Sequence, residues 1–180
     1  MDSKKVLALF ILLVSVSASA GVTEKPCRPG QDRLIQLTKY RAAVRTDHLI
    51  RNVQQNLARS DLTFTQRRKL MVAEHILGCA RGRLGTLRFV CSNADFAFAA
   101  RTYPLISNNV YIADNYFQDI PIRQEATLLH EATHHCGTND AQYFEPGRPP
   151  VDGDFIGWQS IADTYSFWVE NGFCIPGYCR

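Results

Sequence analysis

Apolar residues recur at Leu34, Leu37, Val44, Ile50, Val53 and Leu57, close to the 3.6-residue period of a helix. They predict a long amphipathic helix from Asp32 to Ala58, with Asp32 as its N-cap. A second helix is expected from about Thr65 to Leu77, capped by Thr63 or Thr65 and stopped by Gly78. The pattern then changes. The segments 86–91, 96–99 and 109–113 are short, aromatic and β-branched, and Gly, Asn, Asp and Pro separate them, which predicts strands and turns. Pro121 suits the first turn of another helix, with Asp119 as a possible cap, and that helix runs to Cys136 and Gly137. Between Gly137 and Gly157 the density of Gly, Pro, Asn and Asp predicts loop, and a last helix is expected from Trp158 to Glu170, ending at Asn171-Gly172. This order reads as α+β, with a small sheet over the helix that begins at Pro121.

Composition bounds the setting. Lys4 and Lys5, an apolar run from Val6 to Val16 and Ala18-Ser19-Ala20 have the order of a secretory signal peptide. Residues 1–20 are therefore expected to be removed, leaving 21–180 as a single domain. The run is too short to span a bilayer and no later stretch approaches that length, so the expectation is a secreted chain without a membrane anchor. The six cysteines all follow the leader, and in an exported chain an even count reads as up to three disulfides of undetermined pairing. The closeness of Cys174 and Cys179 suggests a tie between the C-terminal tail and the body. A zinc-thiolate role for Cys136 is weaker than a disulfide, because no second cysteine stands at CxxC spacing. The formal charge of +3 falls by one with the leader, and the basic residues are interleaved along amphipathic helices. Nucleic-acid binding is not expected. No N-x-S/T acceptor occurs.

Residues His130-Glu131-Ala132-Thr133-His134 spell HExxH inside the helix that starts at Pro121. Four residues apart on a helix, the two imidazoles project from one face and suit a tetrahedral zinc, while Glu131 lies beside that face as a general base. A catalytic zinc needs a third protein ligand and an open position. Asp140, Glu145, Asp152, Asp154, Asp163 and Glu170 are the downstream carboxylates weighed for it. Asp140 fits best, because Gly137 can end the helix in a left-handed conformation and turn the chain back toward the metal. The other histidines read differently. His48 and His75 are ordinary helical residues, and His135 is turned about 100° from His134 and is not expected to be a ligand. Trp158 and Trp168 are expected in the core rather than as a substrate platform.

HExxH followed by Gly137-Thr138-Asn139-Asp140-Ala141-Gln142-Tyr143 resembles the aspzincins, the deuterolysin and peptidyl-lysine metalloendopeptidase family, whose pattern is HExxH and then GTxDxxYG. Ala162-Asp163-Thr164-Tyr165-Ser166-Phe167 is similar to the family's later AD-x-Y segment, and the resemblance spans roughly residues 105–172. It implies a zincin-like metalloprotease domain, one zinc ion held by His130, His134 and Asp140, Glu131 as base and Tyr143 as hydroxyl donor to the tetrahedral intermediate. Asp163 is read as a residue that orients a histidine or touches substrate. Phe144 stands where the family pattern has its final glycine, and Ser166 where lysine-directed members carry an acid. The string also reads HExxHxxGxxD, a metzincin-like spacing, but the only methionines are Met1 and Met71, upstream of the motif, so no methionine turn is available.

The expected function is a secreted zinc endopeptidase acting on protein or peptide substrates as a monomer, through a zinc-activated water and Glu131. Substrate is expected to extend along the sheet edge near 109–113, and selectivity at the residue after the scissile bond to be broader than strict lysine. The competing reading is a secreted, disulfide-stapled binding or effector protein with a retained zinc site. A merely structural zinc would normally have four closed ligands, and the sequence offers three and a base.

Overall fold

The computed structural model describes residues 24–93, 99–141, 151–152 and 157–175. Helix α1 (Gln31–Leu57) begins after Gly30, whose φ of 88° turns the chain into the first turn, and Asp32 lies inside that turn rather than capping it. Its negative charge there favours the helix dipole. The buried residues of α1 are Ile35, Thr38, Ala42, Ala43, Thr46, Leu49 and Val53. Leu37 and Val44, assigned to the apolar face by periodicity, stay 43% and 38% exposed. Periodicity found Val53, with Ile50 and Leu57 packed beside the core, but missed the rest of the stripe, four of whose seven residues are Ala or Thr. The Thr46 hydroxyl is made compatible with burial by donating to the Ala42 carbonyl at 2.7 Å.

Helix α2 (Phe64–Thr86) opens with a reciprocal cap: Thr63 Oγ1 accepts from Gln66 N at 3.2 Å, and Gln66 Oε1 accepts from Thr63 N at 2.8 Å. Thr63→Ala is expected to lower the unfolding free energy by about 1 kcal/mol, measured by urea denaturation. An unchanged midpoint would show that this cap carries no stability. Gly78 does not stop the helix. Burial of Ile76, Leu77, Ala80 and Leu84 carries it through Gly78 and Gly82, although each glycine costs about 1 kcal/mol relative to alanine.

Three short strands follow: β1 (Arg88–Cys91), β2 (Ala100–Thr102) and β3 (Asn109–Ile112), in the order β1-β3-β2. β1 runs parallel to β3 with Arg88 opposite Asn109, and β2 runs antiparallel with Arg101 opposite Tyr111. β3 is therefore central, not the edge that the sequence suggested. Of the strand expected at 96–99, residues 96–98 lie outside the described residues.

Helix α3 (Pro121–His134) has Pro121 at its first position and Ile120 as N-cap without a side-chain bond; Asp119 instead approaches Arg123 at 3.8 Å. α3 packs against α1, α2 and α4 (Ala162–Asn171), burying Leu128, Leu129 and Ala132 completely. Trp158 and Trp168 are buried core residues, their rings 5.8 Å apart, and Trp168 Nε1 donates to the Cys174 carbonyl at 2.7 Å. Cys27 bridges to Cys91 and Cys79 to Cys136. Cys174 is also disulfide-bonded. No described helix is long and apolar enough to cross a membrane.

Candidate metal centre

The end of α3 is where local sequence and tertiary pairing meet. After His134 the chain makes a turn in which Cys136 N bonds Thr133 O at 2.8 Å, and Gly137 adopts φ 93°, a conformation that L side chains rarely take. The reversed strand is then held by pairing to the start of α4. Asn139 N donates to Ser160 O at 3.1 Å, and Ala162 N donates to Asn139 O at 3.0 Å. These two backbone bonds fix the residue before Asp140, so the Asp140 side chain is delivered from a braced backbone rather than a free loop.

Three potential ligand atoms converge there. His130 Nε2 and His134 Nε2 are 3.1 Å apart, and Asp140 Oδ1 lies 3.1 Å from each. His130, His134 and Asp140 thus form a group that could hold a metal ion. Their separations are close to the edge of a tetrahedral zinc site, about 3.3 Å for bonds of about 2.0–2.1 Å. The other ring nitrogens are engaged elsewhere, so Nε2 is the nitrogen each ring would turn to a metal once it carries no proton. His130 Nδ1 sits 2.8 Å from Asp163 Oδ1 and 3.3 Å from Ser166 Oγ, and His134 Nδ1 lies 3.3 Å from Thr138 O. Donation from each Nδ1–H selects the tautomer whose Nε2 can coordinate.

The electrostatics agree with this geometry. Burial opposes protonation of His130, but hydrogen bonds to Asp140 and Asp163, aided by Glu131, outweigh it and raise His130 to about 10 without metal. Hydrogen bonds from His130 and His134 hold the Asp140 carboxyl well below the usual range. Burial raises Glu131, against the lowering influence of His130 and His134. Glu131 Oε2 is buried and makes no hydrogen bond among the described residues. An orphaned carboxylate oxygen beside the three converging atoms is the arrangement a water-activating base requires.

The ligand group opens into a cleft of about 460 Å³ walled by β2 on one side and α4 on the other. His135 is not one of the converging residues. Its Nε2 is 2.7 Å from Thr102 Oγ1, which ties the end of α3 to β2. Sequence reasoning missed this tie, because Thr102 lies in a three-residue strand too short to show a period. It also missed Ser166 as a neighbour of His130, and the ladder in which Thr138 Oγ1 donates to Thr133 Oγ1 at 2.9 Å and Thr133 Oγ1 to His130 O at 2.7 Å. Helical spacing from Asp163 to Ser166 was the signal available for the serine. His48 and His75 are exposed helical residues. Of the other carboxylates weighed as a third ligand, Asp152 accepts from Lys69 and from Trp158 N, and Glu170 lies 3.6 Å from Arg123. Tyr143, Phe144, Glu145 and Asp154 fall outside the described residues.

The architecture is a zincin-like α+β fold. In structure the chain is similar to a zinc peptidase from Grifola frondosa, with a TM-score of 0.64 and 15% sequence identity over 81% of this chain and 97% of that one. No family model matches the sequence, and no curated protein does. At that identity the likeness speaks for the fold. The chemistry rests on the residues themselves.

Proposed function

We propose that this chain is a secreted zinc endopeptidase of the aspzincin type, acting as a monomer on proteins or peptides. The observation that carries the reading is the convergence of His130 Nε2, His134 Nε2 and Asp140 Oδ1 at 3.1 Å spacing beside the unpartnered Glu131 Oε2. His130, His134 and Asp140 would hold the zinc, which when bound supplies a Lewis acid that polarises a carbonyl and acidifies water. Glu131 accepts the proton of the attacking water and delivers it to the leaving amine; its burial raises its basicity for that exchange. Asp163 holds the His130 ring from behind, with Ser166 beside it. Tyr143 is proposed as the donor to the developing oxyanion on the strength of the GTxDxxY match. The two disulfides between described residues accord with export, and residues 1–20 are proposed as the leader of a 21–180 domain.

Substrate is proposed to lie extended against β2, the cleft-side edge of the sheet, with main-chain pairing that replaces the placement at 109–113. The test is hydrolysis of a denatured, reduced protein by the purified zinc-loaded chain, with cleavage sites read by mass spectrometry. Cuts throughout the substrate that a chelator abolishes are expected. Near-exclusive cutting before lysine would contradict the broader selectivity inferred from Ser166. Stoichiometric zinc without hydrolysis of any sequence would favour the binding-protein reading.

Zinc affinity should depend on pH with a sign that His130 sets. Hydrogen bonds to Asp140 and Asp163 raise the pKa of the ring in the metal-free chain, and the ring must lose its proton to coordinate, so affinity should rise with pH through neutrality. Calorimetry in buffers of different ionisation enthalpy should register about one proton released per zinc. A flat profile would show that His130 carries no proton to lose in the metal-free chain.

A further inference from the structure

We infer that Arg101 is a specificity-determining residue, selecting an acidic side chain in a peptide extended along β2. The inference rests on the peptidase reading above and names a substrate class for its cleft. β2 is a sheet edge: β3 lies on one side, and no strand among the described residues lies on the other. Along it the burial alternates, with Ala100 and Thr102 turned inward and Arg101 outward, and all three line the cleft. A peptide strand paired with this edge places the residue opposite Arg101 on the same face, within about 5 Å.

The guanidinium is held but not neutralised. It sits 5.2 Å from the centre of the Tyr103 ring, and Tyr103 in turn meets Tyr111 edge-to-face at 6.1 Å. Tyr111 is the cross-strand partner of Arg101, so the three side chains form one supported cluster on the outer face of the sheet. Such support restricts the arginine before any partner arrives and reduces the entropy lost on pairing. Arg45, Arg81, Arg88 and Arg123 each have a carboxylate partner. Arg101 has none among the described residues, although the cleft contains carboxylates. Asp140 is committed to both histidines, Asp163 to His130 and Glu170 to Arg123, and the remaining one, the buried Glu131, feels the charge of Arg101 but forms no ion pair with it. A positive charge in a half-enclosed cleft, aligned with the path of a bound chain, favours Asp or Glu there and disfavours Lys or Arg.

Decapeptides carrying Glu, Gln or Lys at each position in turn provide the test, read in two ways. Cleavage is followed with the zinc-loaded chain, and binding is followed by fluorescence anisotropy with zinc-loaded Glu131→Gln. At one position Glu should exceed Gln by about two- to fivefold, with Lys below both. Arg101→Glu should reverse that order at the same position and leave the others as they were, and Arg101→Gln should flatten it. Cleavage with no charge preference, or a preference that survives Arg101→Glu, overturns the inference while the peptidase reading stands. Charge-selective binding without cleavage sinks the peptidase reading and keeps the selectivity. Neither binding nor cleavage of any peptide overturns both.

Discussion

Replacing Glu131 with glutamine is expected to reduce peptide hydrolysis by about two to four orders of magnitude while zinc content stays at one per chain. The amide keeps the shape of the carboxylate but cannot take a proton from water. The same substitution should raise the thermal midpoint of the metal-free protein. Burial lifts the Glu131 pKa above its ordinary value, so near neutrality the unfolded chain ionises this group more easily than the folded one, and the ionised form is a net cost to folding. Glutamine removes that cost. A variant that hydrolysed peptides at the wild-type rate would remove Glu131 from the reaction. A midpoint that fell instead would show that the carboxylate is satisfied in the folded chain, contrary to its unpartnered Oε2.

The second large effect separates the residue that would hold zinc from the one that orients its histidine. Asp140→Ala takes away one of three converging atoms and is expected to weaken zinc by roughly a hundred- to thousandfold in competition with a chromophoric chelator. Asp163→Asn keeps the side-chain shape but weakens the bond to His130 Nδ1, 2.8 Å in the native chain, and should cost about ten- to a hundredfold. The order matters more than either value. If Asp163→Asn proved the more damaging, the roles of the two aspartates would have to be exchanged.

The parts of this molecule written in local sequence were legible, and those made by tertiary contact were not. Pro121 at the start of α3, the i, i+4 histidines and Gly137 at positive φ are all short-range features, and each stands where the sequence placed it. Asp140 was picked out by proximity and by the family pattern. What braces it, the pairing of Asn139 with Ser160 and Ala162, joins segments about twenty residues apart and leaves no period to read. The face of α1 was misjudged because Thr38, Ala42 and Thr46 bury themselves without being strongly apolar. α2 was cut short at Gly78 because a glycine is a stop only where nothing beyond it packs, and Leu84 packs. The strand expected at 96–99 lies mostly outside the described residues, and β2 begins just after it at Ala100, with β3 rather than β2 at the centre of the sheet. The three residues of β2 carry too little pattern to be located.

The two sides of the cleft differ in how far the fold depends on them. α3 is clamped by three other helices, and a change at Leu128, Leu129 or Ala132 would be felt by the whole core. The β2–β3 connection is under no such restraint: Leu105 is 100% exposed and Ile106 84%, one step beyond the Tyr103 and Pro104 that line the cleft. Substitution at Leu105 or Ile106 therefore carries little stability cost, while a change on the buried face of α3 needs a compensating exchange in its neighbours.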